Sequence, residues 1–198
     1  MPVEAAMPET ARLFAALDIP DDVRDRVAAW GERELTDPAL RPVSAAKLHM
    51  TLCFLGQIDS SRVSEAAACV RGLAPVPIRI QFARTPVGKP PDAPQVWALE
   101  ADAPGAQDLQ AELTGALRVA GISKPDNRPF WAHLTVAHTR TEGGRGGRPQ
   151  GVEKAPSDLP TELLQPFDAV RVSLYRSELR SDGSKYVSLA NLNLPPSA

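Results

Sequence analysis

Apolar positions fall into short alternating or continuous runs separated by Gly, Pro and charged clusters, with three stretches of helical spacing among them. Arg12 to Ile19 (RLFAALDI) predicts a short strand ended by Pro20, and Asp21 to Leu35 a helix whose first turn carries Asp21 and Asp22, as suits a helix N-terminus. Lys47 to Leu55 (KLHMTLCFL) alternates as a strand, which Gly56 is expected to break, and Ser61 to Leu73 returns to helical spacing. Val76 to Arg84 and Gln95 to Glu100 predict two further strands, joined by the Pro-rich TPVGKPPDAP as an exposed hairpin loop. Leu109, Leu113, Leu117 and Ala120 form one apolar stripe, which predicts an amphipathic helix over Asp108 to Ala120. Strands are expected at Trp131 to His138, Ala169 to Leu179 and Lys185 to Leu192, the last two joined by a turn around Asp182 and Gly183. Without a regular βαβ rhythm, this order predicts an α+β fold of two similar lobes. A flexible N-terminus over 1–10 would precede a single bilobal domain over 11–194.

Charge narrows the partners. With 22 Lys and Arg against 24 Asp and Glu in 198 residues, the formal charge is -2. A broad cationic face for duplex or long RNA is therefore not expected. Ten aromatic residues are too few to pave a base-stacking surface. The one locally basic segment runs from Arg140 to Lys154, where four cations meet two acids, and could serve as a steering flap or be merely solvated. Cys53 and Cys69 lie at no metal-ligand spacing, and no run approaches the roughly 18 apolar residues needed to span a bilayer. A reduced, cytoplasmic, monomeric protein away from membranes is expected.

One short pattern occurs twice. His49-Met50-Thr51-Leu52 and His133-Leu134-Thr135-Val136 lie 84 residues apart in a chain with three histidines. Strand parity puts His and Thr on one face and the apolar pair on the other in each copy. If the lobes are related by an approximate two-fold, two imidazoles and two hydroxyls face one cleft. Imidazole titrates near neutrality, so one ring can act as a general base on water and the other can protonate a leaving oxygen. The hydroxyls can hold non-bridging phosphate oxygens. A strained cyclic phosphate needs no metal for this, and three histidines without a carboxylate at ligand spacing make a poor metal site. A phosphodiesterase site is expected. Two other classes stay open: a nucleic-acid-binding module with structural histidines, and an enzyme acting on a small cyclic or 2'-5' linked nucleotide. The third histidine, His138, shares parity with Leu134 and Val136 and is expected to point away from His133.

Several segments together resemble a known family. Arg12 to Leu17 (RLFAAL), Lys47 to Gly56 (KLHMTLCFLG), Arg128-Pro129-Phe130 leading into His133 to Ala137, and Leu174 to Leu179 (LYRSEL) with Gly183 and Tyr186 are similar to the two-histidine (2H) phosphoesterase superfamily. Within it, the RNA 2',3'-cyclic phosphodiesterases, also called 2'-5' RNA ligases, are the group resembled. The resemblance implies duplicated sheet-and-helix lobes, pseudo-two-fold, around a central cleft. It also implies hydrolysis of RNA 2',3'-cyclic phosphate ends, or of a small nucleotide so ended, to a 2'-phosphate, with no cofactor or metal. His49 and His133 would be the catalytic pair, His49 as the acid protonating O3' and His133 as the base activating water. Thr51 and Thr135 would bind phosphate. ATP-independent 2'-5' ligation would be the reverse reaction, and no nucleotide-binding glycine motif is present. Further substrate contacts are expected from Phe14, Arg128, Arg140 and Tyr175, each with a structural alternative: Phe14 in the core, Arg128 in a surface ion pair, Tyr175 in sheet packing. The family's second motif reads PHxTxAR, whereas this chain has Ala132 and His138 at the Pro and Arg positions. Arg140, or His138 when protonated, is the expected substitute for that Arg.

Overall fold

The computed structural model describes residues 9–122, 129–143, 146–180 and 183–197. In chain order its elements are β1 (Thr10–Asp18), α1 (Asp21–Glu34), β2 (Leu40–Pro42), β3 (Met50–Asp59), α2 (Val63–Arg71), β4 (Arg79–Phe82), β5 (Val87–Lys89), β6 (Val96–Asp102), α3 (Ala106–Val119), β7 (His133–Thr139), β8 (Phe167–Asp168), β9 (Arg171–Arg180) and β10 (Gly183–Asn193). One sheet runs β10-β9-β1-β3; the second runs β2-β7-β6-β4-β8, with β5 on β6. Paired neighbours are antiparallel throughout. The α+β expectation and its two lobes stand, but the lobes are not the two halves of the chain. The first sheet joins the N-terminal strands to the last two, and the middle of the chain forms the second sheet.

The core explains the helices. Leu109, Leu113 and Leu117 of α3 are buried along one stripe, as the spacing predicts, joined by Ala106 rather than by Ala120, which follows the helix and is half-buried, while α3 packs on α2 and β3. Removing a fully buried leucine of this kind costs about 2–5 kcal/mol. In α1 the buried positions are Val23, Val27, Trp30 and Gly31, and the helix rests on a 3-10 turn at Ala45–Lys47. That turn takes Lys47, the first residue of the strand expected over Lys47 to Leu55, and β3 opens only at Met50, so His49 stands at the mouth of β3 rather than inside it.

Gly56 does not end β3, which continues to Asp59. Leu13 pairs with Gly56 and Phe14 with Phe54, so Leu55 is an extra residue in the ladder. Gly56 takes φ +74° with open space around it; the left-handed backbone of this bulge, not crowding, selects glycine there. The Pro-rich connection contains β5, which pairs with β6 as a hairpin. The short strands β2 and β8 have too few residues to show a period. At the N-terminus Thr10 already belongs to β1, and the Glu9 carbonyl before it accepts the Ser60 N–H at 2.9 Å; 1–8 lie outside the described residues. The order extends past Leu194, because Asp168 accepts both the N–H (2.9 Å) and the hydroxyl (2.7 Å) of Ser197. Among the described residues no helix is long and apolar enough to cross a membrane.

Candidate active site

Both repeated histidines are held the same way. His49 Nδ1 lies 2.7 Å from the Lys47 carbonyl oxygen, and His133 Nδ1 lies 2.7 Å from that of Trp131. A carbonyl can only accept, so each Nδ1 carries the hydrogen and donates it. Nε2 is left as the atom that exchanges protons. Each ring is thus clamped by the residue two positions before it. The strands that follow, β3 and β7, approach each other between the two sheets.

The repeat extends beyond H-x-T into the backbone. On β3, Ala16 pairs with Thr51 and Ala15 with Cys53, skipping Leu52. On β7, Ala98 pairs with Thr135 and Trp97 with Ala137, skipping Val136. Each strand therefore bulges one residue after its threonine. Opposite each threonine stands a fully buried alanine, Ala16 or Ala98, whose small side chain leaves room beside the hydroxyl. Across from each histidine stands a carboxylate. Leu17 pairs with Met50, which sets Asp18 level with His49, and Glu100 pairs with His133.

The bulge overturns one expectation. Counting in twos along an unbroken strand puts His138 with Leu134 and Val136, but the extra residue reverses parity. Val136 and Ala137 are both buried, and His138 returns to the half-buried face of His133 and Thr135. By the same device Phe54, 64% exposed, pairs with Phe14 on the face that carries Thr51.

The two histidines differ in their surroundings. Phe14 packs on His49 with ring centroids 4.9 Å apart, and Tyr186 meets it edge-on at 5.4 Å. Beside this group Asp18, only 3% exposed, accepts hydrogen bonds from Arg171 Nε (2.6 Å), Ser173 Oγ (2.7 Å) and Tyr175 OH (2.7 Å). Burial holds the His49 pKa below its ordinary value; the Lys47 carbonyl and the Asp18 charge pull it back up, and His133 pushes it down. His133 stacks on Trp131 at 3.7 Å, nearly parallel. Trp131 Nε1 donates to Glu100 at 2.9 Å, and Lys89 lies 3.5 Å from that carboxylate and 5.1 Å from the indole. Burial also lowers the His133 pKa; the Trp131 carbonyl and Glu100 oppose this, and Lys89 adds to it.

Several known proteins are similar to this chain. The model of the family described as LigT like Phosphoesterase matches residues 17–98, a stretch that includes His49 and Thr51. A Thermus thermophilus protein named RNA 2',3'-cyclic phosphodiesterase is 28% identical over 194 residues, covering 92% of this chain and 90% of that protein. One of the same name from Methanocaldococcus jannaschii is 24% identical over 177 residues, covering 88% and 96%. The crystal structure of Escherichia coli LigT in apo form superposes with a TM-score of 0.72 at 23% identity, covering 94% of this chain and 99% of that one. The chain resembles the LigT-like phosphoesterases.

The remaining candidates are placed as follows. Phe14 is buried, 3% exposed, between His49, Tyr175 and Tyr186. Tyr175 is half-buried and spends its hydroxyl on Asp18. Burial first, and that bond second, raise the Tyr175 pKa. Arg140 is exposed and turned to the chain before β2: its Nε donates to the Pro38 carbonyl at 3.1 Å and its backbone N–H to that of Ala39 at 2.7 Å. Arg128 lies outside the described residues. Ala132, at the Pro position of the family motif, sits in a segment held instead by the Trp131 side chain, between Glu100 and the His133 ring. Among the described residues no three His, Cys, Asp or Glu are grouped to hold a metal ion.

Proposed function

We propose that the chain hydrolyses 2',3'-cyclic phosphate ends of RNA to 2'-phosphates by metal-independent acid and base catalysis on the two histidines, within one bilobal domain. The observation that carries this reading is the duplicated histidine, clamped at Nδ1 with Nε2 left to exchange protons, each followed by a threonine and a bulge. The names of the relatives above agree with it. His133 Nε2 takes a proton from water as its oxygen bonds to phosphorus. The bond from phosphorus to O3' breaks, its electron pair stays on O3', and His49 Nε2 supplies the proton. The hydroxyls of Thr51 and Thr135 donate to the non-bridging oxygens, whose charge grows as phosphorus becomes five-coordinate. Phe54 offers its exposed ring to the terminal base. A 5'-hydroxyl attacking in place of water would give the 2'-5' linkage.

The test is an oligonucleotide ending in a 2',3'-cyclic phosphate, incubated with the protein in EDTA. A 2'-phosphate product is expected. No turnover, or turnover abolished by EDTA, refutes the reading, and a 3'-phosphate product refutes the leaving-group assignment.

Asp18 favours protonated His49, which suits the acid. Both rings have pKa values below the ordinary 6.5, so the decline of kcat/KM, as the acid loses its proton with rising pH, should set in below that pH. Asp18→Asn removes the charge that raises His49, and the falling limb should move to lower pH. If the rising limb moves instead, His49 is the base. The variant also leaves Arg171 without its carboxylate, at about 1–3 kcal/mol of stability, which thermal unfolding measures separately.

A further inference from the structure

The face that carries His133 and Thr135 continues across four strands. Lys89 of β5 pairs with Val96 of β6, Val96 with His138 of β7, and His138 with Arg41 of β2. Paired residues of neighbouring strands point to the same side. Lys89, Val96, His138 and Arg41 therefore form one row on the side that carries Thr135. Along β6 this row is two residues from Ala98, the partner of Thr135, a step of about 7 Å. That matches the separation of successive phosphates along an extended RNA strand.

The members of the row are not equally available. Lys89 is engaged by Glu100 and the Trp131 ring. His138 is held toward its neutral form by burial and then by the charge of Arg41, so it is not a permanent cation. Arg41 is exposed and forms no ion pair among the described residues. The Arg140 hydrogen bonds to Pro38 and Ala39 fix the chain immediately before it.

Resting on the proposed reaction at RNA ends, we infer that Arg41, with His138 beside it, binds the phosphodiester joining the terminal nucleotide to its 5' neighbour. The guanidinium can donate two parallel bonds to one phosphate, and neutral His138 can add a ring N–H. The substrate class that follows is an RNA end of at least two nucleotides, in preference to a lone cyclic nucleotide.

Product binding tests this without turnover. Titration calorimetry would compare adenosine 2'-phosphate, the dinucleotide ApA carrying a terminal 2'-phosphate, and that dinucleotide with a neutral methylphosphonate linkage. Wild type should prefer the charged dinucleotide. Arg41→Gln should reduce its affinity about three- to tenfold more than that of the mononucleotide, and Arg41→Lys should restore part of the difference. The methylphosphonate should lose affinity for wild type and show no further loss with Arg41→Gln. Equal losses for all three ligands, or none, overturn the subsite. Failure of the EDTA assay with these product differences intact would instead overturn the reaction assigned to the site.

Discussion

His49→Ala and His133→Ala are each expected to lower kcat on a 2',3'-cyclic phosphate about 10²- to 10⁴-fold, the range of one positioned acid or base. The physical ground is the same for both. The bond from Nδ1 to a carbonyl two residues earlier fixes ring orientation and tautomer together, leaving one nitrogen to transfer protons. Alanine removes that nitrogen and no strand pairing. His49 lies just outside β3 and His133 at the first position of β7, so the ladders persist and circular dichroism should be unchanged. The double variant should lose much less than the product of the two single losses, because acid and base act on one displacement. Rate measurement on all three proteins decides. Wild-type rates in either single variant would remove that histidine from the mechanism.

The threonines should have the next largest effect. Thr51→Val and Thr135→Val are each expected to lower kcat about 10²- to 10³-fold, comparable to removing one donor from an oxyanion hole. Valine keeps the branched shape but replaces the hydroxyl by a methyl. Since Thr51 and Thr135 are half-buried beside the small Ala16 and Ala98, the fold should tolerate it. Thr→Ser restores the donor and should recover most of the rate. A rise in KM at constant kcat would mean that the hydroxyls hold the ground-state phosphate equally well and do not discriminate the transition state.

Much of this candidate site is legible in the sequence. Two copies of H-x-T in strand patterns single out four residues, because strand parity is a local property. The limits were also local. Leu52 and Val136 look like ordinary alternating positions, and only the skipped partner on the neighbouring strand reveals a bulge. Without it His138 is assigned to the wrong face and Phe54 loses its place beside Phe14. Asp18 reads as the end of an apolar run before a helix. Its burial depends on Arg171, Ser173 and Tyr175, which lie 153 to 157 residues away in sequence. Arg41 sits in a three-residue strand with no period of its own, and only its pairing with His138 brings it to the row. Gly56 could be read as a breaker because glycine can either end a strand or bend it; the pairing with β1 selects the bend.

Sequence alone determined the local chemistry: which segments can be helix or strand, and which strands carry an imidazole and a hydroxyl on one side. These follow from backbone sterics and side-chain periodicity, which act over a few residues. Tertiary structure decided how the lobes share the chain, where the ladders slip, which carboxylate stands by each histidine and which cation stands free on the row. Those depend on pairing between segments far apart in sequence, and a slip of one residue in such a pairing changes which side chains reach the site.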